Sequence, residues 1–143
     1  MLILLIEDDL LQADLMEKAI RQRLRADTLR IATESEFLAR FEEIPRRSPA
    51  AIIIDVMLRW ADPAEQMPTK PADYGVTGGY RRAGLRCRKK LLEDDRTRSI
   101  PVVIYTVLSK DALGKGLSDS EYLQKGGGFD HLLERLQPII SKR

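Results

Sequence analysis

The sequence predicts an α/β fold, a doubly wound parallel sheet with helices on both faces. Three short runs, at residues 2–6, 51–54 and 102–105, are continuously apolar and rich in Ile, Leu and Val. This pattern is typical of strands that are buried on both faces of a parallel sheet. Segments with apolar residues at helical spacing alternate with these runs. Such alternation requires crossover connections, which place helices on both faces of the sheet.

The elements are predicted in the order β-α-β-α-β-α-β-(α)-β-α. Two weaker strands are expected at residues 28–32 and 121–124. Helical support is poor between the fourth and fifth strands, because Gly114 and Gly116 interrupt the pattern there. The supported helices are indicated by the apolar residues Leu11, Leu15, Ala19, Ile20 and Leu24, then Phe37, Leu38 and Phe41, then Leu85, Leu91 and Leu92, and finally Leu132, Leu133, Leu136 and Ile140.

Composition favours one domain inside the cell. The chain has 143 residues, 43% of them hydrophobic, which suffices for a single core. Lys and Arg total 24 against 22 Asp and Glu, so bulk charge favours neither a nucleic acid nor a membrane surface as partner. The single cysteine, Cys87, fits a reducing compartment, and the apolar run at residues 2–6 is too short to span a membrane. We therefore expect a cytoplasmic protein without membrane insertion.

Polar residues stand at the carboxyl ends of the predicted strands. Glu7 and Asp8 follow the first strand, Asp55 the third, Thr106 the fourth and Lys125 the fifth. In an open doubly wound sheet, ligands bind at this edge. Clustered carboxylates repel one another unless a cation is present, and Mg²⁺ is commonly held by one or two carboxylates plus a phosphate. A carboxylate beside Mg²⁺ can also attack phosphorus, so the pattern predicts a magnesium site at which an aspartyl phosphate forms.

Each of these residues, taken singly, also has a structural interpretation. An acid at a strand-to-helix turn accepts hydrogen bonds from free helix amides, and we expect Asp9 to cap the first helix in this way. Asp55 alone could begin a solvated loop, Thr106 could simply end a strand, and Lys125 could be a surface lysine. Their shared edge favours a site over these separate interpretations.

In this order, the strand-end residues make the sequence similar to the receiver domains of two-component response regulators. The resemblance covers the whole chain, residues 1–143, and rests on the segments LLIEDD, IIIDVML, IPVVIYT and EYLQK. It implies a five-stranded, flavodoxin-like sheet of order 2-1-3-4-5. It also implies a phosphorelay signalling module instead of a classical enzyme, with chemistry limited to phosphoryl transfer onto itself and autodephosphorylation.

The resemblance further implies a role for individual acids. Asp55 corresponds to the phosphoacceptor of the family, and Glu7 and Asp8 correspond to the acid pair that helps to bind Mg²⁺. Met57 corresponds to the residue whose backbone carbonyl completes the protein ligands of the ion.

A switch and two kinds of partner are implied in the same way. Thr106 corresponds to the hydroxyl that moves to the phosphoryl group, Lys125 to the lysine that contacts it, and Tyr122 to an aromatic residue that swings inward. The expected partners are a sensor histidine kinase or histidine phosphotransfer protein, which donates the phosphoryl group, and a downstream protein. No direct binding of nucleic acid is expected.

Four features depart from the family pattern. One is the fourth helix region, VLSKDALGKGLSDS, which is short and broken by glycines on a face that many receivers use for output. Val107 follows the switch hydroxyl at a position that is usually small, and Gly126–Gly128 replace the usual proline after the lysine. A long insertion occupies residues 58–79, where connections are normally short. Its Trp60 and Tyr74 are costly to leave in water, which favours a lid or a partner contact, although a tolerated surface insertion is the alternative.

Two other functions therefore stay open. The departures would also suit a receiver-like module that binds proteins without being phosphorylated. A magnesium-dependent phosphohydrolase is a further alternative, but such enzymes commonly carry a second acid where this chain has Met57. The basic stretch at residues 80–90 is expected to be a solvated helix surface, and the sequence contains no recognisable output domain, as in a single-domain regulator or a piece of a longer protein.

Overall fold

A five-stranded parallel sheet lies at the centre of the computed structural model, which describes residues 1–64 and 66–142. The strand order β2-β1-β3-β4-β5 confirms the predicted order, and each weaker strand begins within one residue of its predicted start. The strands are β1 (Leu2–Ile6), β2 (Asp27–Ile31), β3 (Ala51–Ile54), β4 (Val102–Thr106) and β5 (Tyr122–Gln124).

Helices cover both faces of this sheet. The second predicted helix is in fact two short helices, and two 3₁₀ turns, Asp111–Leu113 and Asp119–Glu121, replace an α-helix between β4 and β5. Gly114 follows the first of these turns with a φ of 80°, a conformation that ends helices. The α-helices are α1 (Leu10–Leu24), α2 (Glu34–Ala39), α3 (Glu43–Arg47), α4 (Ala83–Glu93) and α5 (Asp130–Ser141).

The hydrophobic core is divided by the sheet into two layers. Along β1, Leu4 and Ile6 face one layer, whereas Ile3 and Leu5 face the other, because successive strand side chains point to opposite faces. Each of these side chains is buried, which explains why the strands are continuously apolar. Side chains from the helices that complete the first layer include Phe37, Ile44, Cys87 and Leu91, and those that complete the second include Met16, Ile20, Leu133 and Leu136.

The face of α1 that packs on the sheet holds only part of the apolar pattern from which the helix was predicted. Leu11 and Leu15 of that pattern are 68% and 45% exposed. Ile20 lies on the buried face, together with Ala13 and Met16. The helix carries more apolar residues than one stripe can hold, and the spacing alone does not fix which of the two stripes faces the sheet.

The insertion is anchored beside α2 and α4. Its backbone carbonyls at Arg59 and Trp60 accept hydrogen bonds from the first two amides of α2, at 3.0 and 2.8 Å. The Arg86 guanidinium in α4 forms an ion pair with Glu34, at 2.6 Å, and also donates to the carbonyls of Thr77 and Gly79. These contacts concern the described part of the insertion, and Glu65 lies outside it.

The basic stretch of α4 is not uniformly solvated. Lys89 is exposed as predicted, but the side chains of Arg86 and Arg88 are only 19% and 17% exposed and pair with Glu34 and Glu121. The charges of Arg86 and Arg88 are therefore paired within the fold and are not free to bind a partner. Within the described ranges, no helix has the length and hydrophobicity needed to cross a membrane.

Candidate functional site

The carboxyl ends of four neighbouring strands bring the predicted site residues to one edge. Glu7 and Asp8 follow β1, Asp55 follows β3, Thr106 ends β4 and Lys125 follows β5. Because these strands are parallel and adjacent, their ends meet at the same side of the sheet. The Lys125 amide still donates to the Thr106 carbonyl, at 2.7 Å, so the sheet hydrogen bonding positions the backbone of the lysine.

The Lys125 ammonium lies between the buried carboxylate of Glu7 and the largely buried carboxylate of Asp55. Its Nζ atom is 2.5 Å from Glu7 Oε1 and 3.0 Å from Asp55 Oδ2. The side chains are 12% exposed for the lysine, 2% for the glutamate and 12% for the aspartate. Charges buried to this extent interact strongly, and each depends on the others to offset its desolvation.

The acid cluster fits a divalent cation. Glu7, Asp8 and Asp55 each offer a carboxylate oxygen, and these three oxygens lie within 4.8 Å of one another. Glu7 Oε2 and Asp55 Oδ1 are buried and have no hydrogen-bond partner among the described residues. A buried oxygen without a donor is costly, and an ion that takes oxygen ligands would remove this cost.

Burial is the largest influence on the pKa of Glu7. It raises this pKa from the ordinary value of 4.5 to about 8, and the nearby Asp55 carboxylate acts in the same direction, while Lys125 opposes them. Burial acts to lower the pKa of Lys125, but the negative charges and hydrogen bonds of Asp55 and Glu7 outweigh it, so that this pKa is raised. In the absence of a metal, the surroundings therefore favour the charged form of the lysine and make Glu7 harder to ionise than an exposed glutamate.

The backbone of one residue, Leu108, connects the two predicted switch residues. Thr106 is fully buried, and its Oγ1 atom accepts a hydrogen bond from the Leu108 amide at 3.3 Å. The hydroxyl of Tyr122 donates to the Leu108 carbonyl at 2.6 Å. A movement of the threonine hydroxyl would therefore change the surroundings of the tyrosine directly.

Two cavities are lined by residues at or near the predicted site. Met57, two residues after Asp55, is half-buried and lines a cavity of about 330 Å³. Val107 is 57% exposed and lines a second cavity, of about 470 Å³, next to Lys125. Its other walls include Leu15, Tyr105, Phe129 and the three glycines 126–128.

Asp9 has the predicted structural role. Its carboxylate accepts a hydrogen bond from the Gln12 amide at 3.1 Å and caps α1. Asp9 therefore has a structural role and is not one of the three acids of the cluster.

Sequence reasoning missed Gly84, which lies against the backbone of the site. A Cβ atom at this position would come within 1.9 Å of the Asp55 carbonyl oxygen, and the Gly84 amide donates to the Val56 carbonyl at 2.8 Å. Only glycine permits such a close approach of α4. A glycine inside a helical pattern is the signal that could have indicated it.

Sequence reasoning also missed Arg59, the second residue of the insertion. Its amide donates to Asp8 Oδ2 at 3.0 Å, and its Nη2 atom donates to the Asp8 carbonyl at 3.3 Å. Its Nε atom lies 3.6 Å from Asp8 Oδ2. No sequence pattern indicates this contact, because it depends on the path of an irregular segment.

Similar folds occur among solved receiver domains. The receiver domain of a Francisella response regulator is 21% identical, with a TM-score of 0.69 over 99% of this chain and 97% of that one. A signal receiver domain of a histidine kinase from Syntrophus aciditrophicus is 23% identical, with a TM-score of 0.67 over 99% and 90%. The receiver domain of a sensor histidine kinase from Pseudomonas aeruginosa, with a magnesium ion coordinated in its active site cleft, is 21% identical, with a TM-score of 0.65 over 98% and 97%.

No protein-family model and no curated protein matches the sequence. At identities this low, structural similarity identifies the fold, and it does so over nearly the whole length of both chains. The chain has the fold of the response regulator receiver domains of two-component signalling.

Proposed function

We propose that the chain is a phosphoacceptor receiver module of a two-component phosphorelay, in which Asp55 accepts the phosphoryl group. One observation carries this proposal: Asp55 has a buried oxygen with no hydrogen-bond partner in residues 1–64 and 66–142, beside a lysine at the ligand-binding edge of a receiver fold. The carboxylates of Glu7, Asp8 and Asp55, with the Met57 carbonyl, would hold Mg²⁺ there.

The transfer step uses side chains that are already in position. A carboxylate oxygen of Asp55 attacks the phosphorus of a phosphohistidine, the P–N bond breaks, and the imidazole leaves with the bonding electrons and takes up a proton. Lys125, which is 3.0 Å from Asp55, stabilises the negative charge of the transferred group. Bound Mg²⁺ would supply further charge neutralisation at the same oxygens.

The switch follows from the new charge. The Thr106 hydroxyl is drawn towards the phosphoryl oxygens and leaves the Leu108 amide, to which it is hydrogen-bonded in this structure. Tyr122, which binds the carbonyl of the same residue, then repacks near β5. The repacked surface would be the one that a downstream protein recognises.

An exposed apolar surface beside the site supports a protein as the phosphodonor. Leu10, Leu11 and Leu15 of α1 and the nearby Val107 are between 45% and 68% exposed. Exposed apolar clusters of this kind commonly mark protein contacts. A sensor histidine kinase or a histidine phosphotransfer protein, acting in the cytoplasm, fits this surface.

A second function, protein binding without phosphorylation, is favoured by the internal ion pairs. Lys125 and Arg59 together contact all three acids of the cluster, so the cluster is partly neutralised without a metal. Under this alternative, partner binding would be the same in the presence of Mg²⁺ and EDTA and would survive Asp55→Ala.

Phosphorylation from a small phosphodonor tests the proposal. Wild-type protein incubated with acetyl phosphate and Mg²⁺ should gain one phosphoryl group by intact mass and shift on a Phos-tag gel. Asp55→Ala should gain none. Unmodified wild type, or equal modification of the variant, would overturn the proposal.

A further inference from the structure

We propose that Arg59 is a built-in cation that competes with the divalent ion for Asp8 and so lowers the affinity of the site for metal. The inference rests on the proposed function, because it concerns the same acid cluster. It assigns the first residues of the insertion a role in setting the metal concentration at which the site loads.

The Arg59 side chain contacts Asp8, whereas Lys125 contacts the other two acids of the cluster. Lys125 contacts Glu7 and Asp55, while the Arg59 guanidinium lies 3.6 Å from Asp8 Oδ2 and donates to the Asp8 carbonyl. The three acids are thus shared between two cations. A metal ion bound to Asp8 Oδ2 would meet the arginine at the same oxygen.

The backbone fixes this arrangement. The Arg59 carbonyl accepts a hydrogen bond from the Glu34 amide at 3.0 Å, and its own amide donates to Asp8 Oδ2 at 3.0 Å. The guanidinium is therefore presented to the cluster by an anchored segment. Since the amide contact does not involve the side chain, truncation of Arg59 would remove the charge and leave the backbone bond.

The side chain can also leave the acid. It is 47% exposed, against 12% for Lys125, and its Nη2 atom lies 3.3 Å from Asp62 Oδ1. Asp62 offers the guanidinium a second partner outside the cluster. Arg59 can therefore yield to a metal, whereas Lys125 is held between two largely buried carboxylates.

Metal binding tests this inference without any measurement of phosphorylation. Mn²⁺, which prefers the same oxygen ligands as Mg²⁺, is titrated into the wild type, Arg59→Ala and Arg59→Gln, and free Mn²⁺ is followed by its EPR signal. A half-exposed ion pair corresponds to a change of about two- to fivefold in affinity, so both variants should bind Mn²⁺ more tightly by that factor. The gain should shrink at high salt, because exposed charges are screened.

Arg98→Ala is the matched control. It also removes one positive charge, but Arg98 pairs with Asp95 before β4, at the opposite end of the sheet, so its Mn²⁺ affinity should equal that of the wild type. Equal or weaker binding by both Arg59 variants, with clear binding by the wild type, would overturn the inference and leave the proposed site intact. No binding by any of these proteins would overturn both.

Discussion

The raised pKa of Glu7 makes the stability of the metal-free protein depend on pH. Folding favours the protonated carboxyl, because burial raises this pKa from 4.5 to about 8. The stabilisation is complete below about pH 4.5 and is lost as the pH rises through about 8. We expect the free energy of unfolding in EDTA to fall between about pH 5 and pH 8, by up to about 1.4 kcal/mol per pH unit, and to level off at higher pH.

Urea unfolding of Glu7→Gln in EDTA measures this dependence. The variant cannot ionise at position 7, so its stability should change much less over the same pH range. Glu93→Gln removes an exposed acid of α4 and should follow the wild type. Parallel curves for the wild type and Glu7→Gln would show that Glu7 is not the titrating group.

Lys125 is expected to be essential for stability as well as for phosphorylation. Lys125→Ala leaves the largely buried carboxylates of Glu7 and Asp55 without their shared cation, and breaking such a pair typically costs about 3 to 5 kcal/mol. Urea unfolding in EDTA at pH 8 should show this loss, and added Mg²⁺ should reduce it. Lys110→Ala, which breaks a pair with the exposed Asp119, should change stability little; equal losses in the two variants would contradict this account of the cluster.

Gly84 allows α4 to pack directly against the backbone of Asp55. Gly84→Ala would put a Cβ atom 1.9 Å from the Asp55 carbonyl oxygen, so the helix or the site must shift. We expect destabilisation of about 1 to 3 kcal/mol or more and slower phosphorylation, measured by urea unfolding and intact mass. Gly75→Ala is the control, because a Cβ there meets no atom within 4 Å; a fully active, stable Gly84→Ala would contradict the close approach.

The ion pair between Arg86 and Glu34 attaches the insertion to α2 and α4. The Glu34 side chain is only 4% exposed, so Arg86→Ala leaves a buried carboxylate unpaired and should cost about 3 to 5 kcal/mol. Limited chymotrypsin digestion should also cut faster after Tyr74, since the Arg86 guanidinium lies over the Tyr74 ring in the folded chain. Arg88→Ala should cost less, since its partner Glu121 is 31% exposed; equal costs would mean that the buried pair does not anchor the insertion.

For the whole molecule, topology determines how much of the site the sequence reveals. Glu7, Asp55, Thr106 and Lys125 could be grouped because parallel strands bring their carboxyl ends together, and strand ends are visible as the ends of apolar runs. The role of each of these residues stays a prediction. The lid and partner roles of the insertion also stay predictions.

Contacts that depend on irregular backbone could not be predicted in the same way. Arg59 reaches Asp8 because the first residues of the insertion are hydrogen-bonded to the first turn of α2, and no periodicity in the sequence indicates that path. The buried face of α1 was not evident either, since its exposed leucines form a second apolar stripe. An exposed apolar stripe has the same sequence pattern as a core-facing one, and only the packing of Ala13, Met16 and Ile20 resolves the difference.

The connection between β4 and β5, at residues 107–121, shapes the proposed output. Two 3₁₀ turns occupy this segment, and the backbone of its Leu108 bonds to both Thr106 and Tyr122. A signal that starts at Asp55 would therefore reach the surface through Leu108, without the rotation of a long helix. This favours a local change of surface near β5 over a large movement of the domain.

Phosphorylation of Asp55 is tested most directly by locating the phosphoryl group on the chain. Wild-type protein is phosphorylated with acetyl phosphate in Mg²⁺ or in EDTA, reduced with borohydride and digested for peptide mass analysis, since borohydride converts an aspartyl phosphate to homoserine. We expect homoserine at position 55 in Mg²⁺ and little or none in EDTA. Homoserine at another aspartate, or none at position 55 in Mg²⁺, would contradict the assignment of Asp55 as the phosphoacceptor.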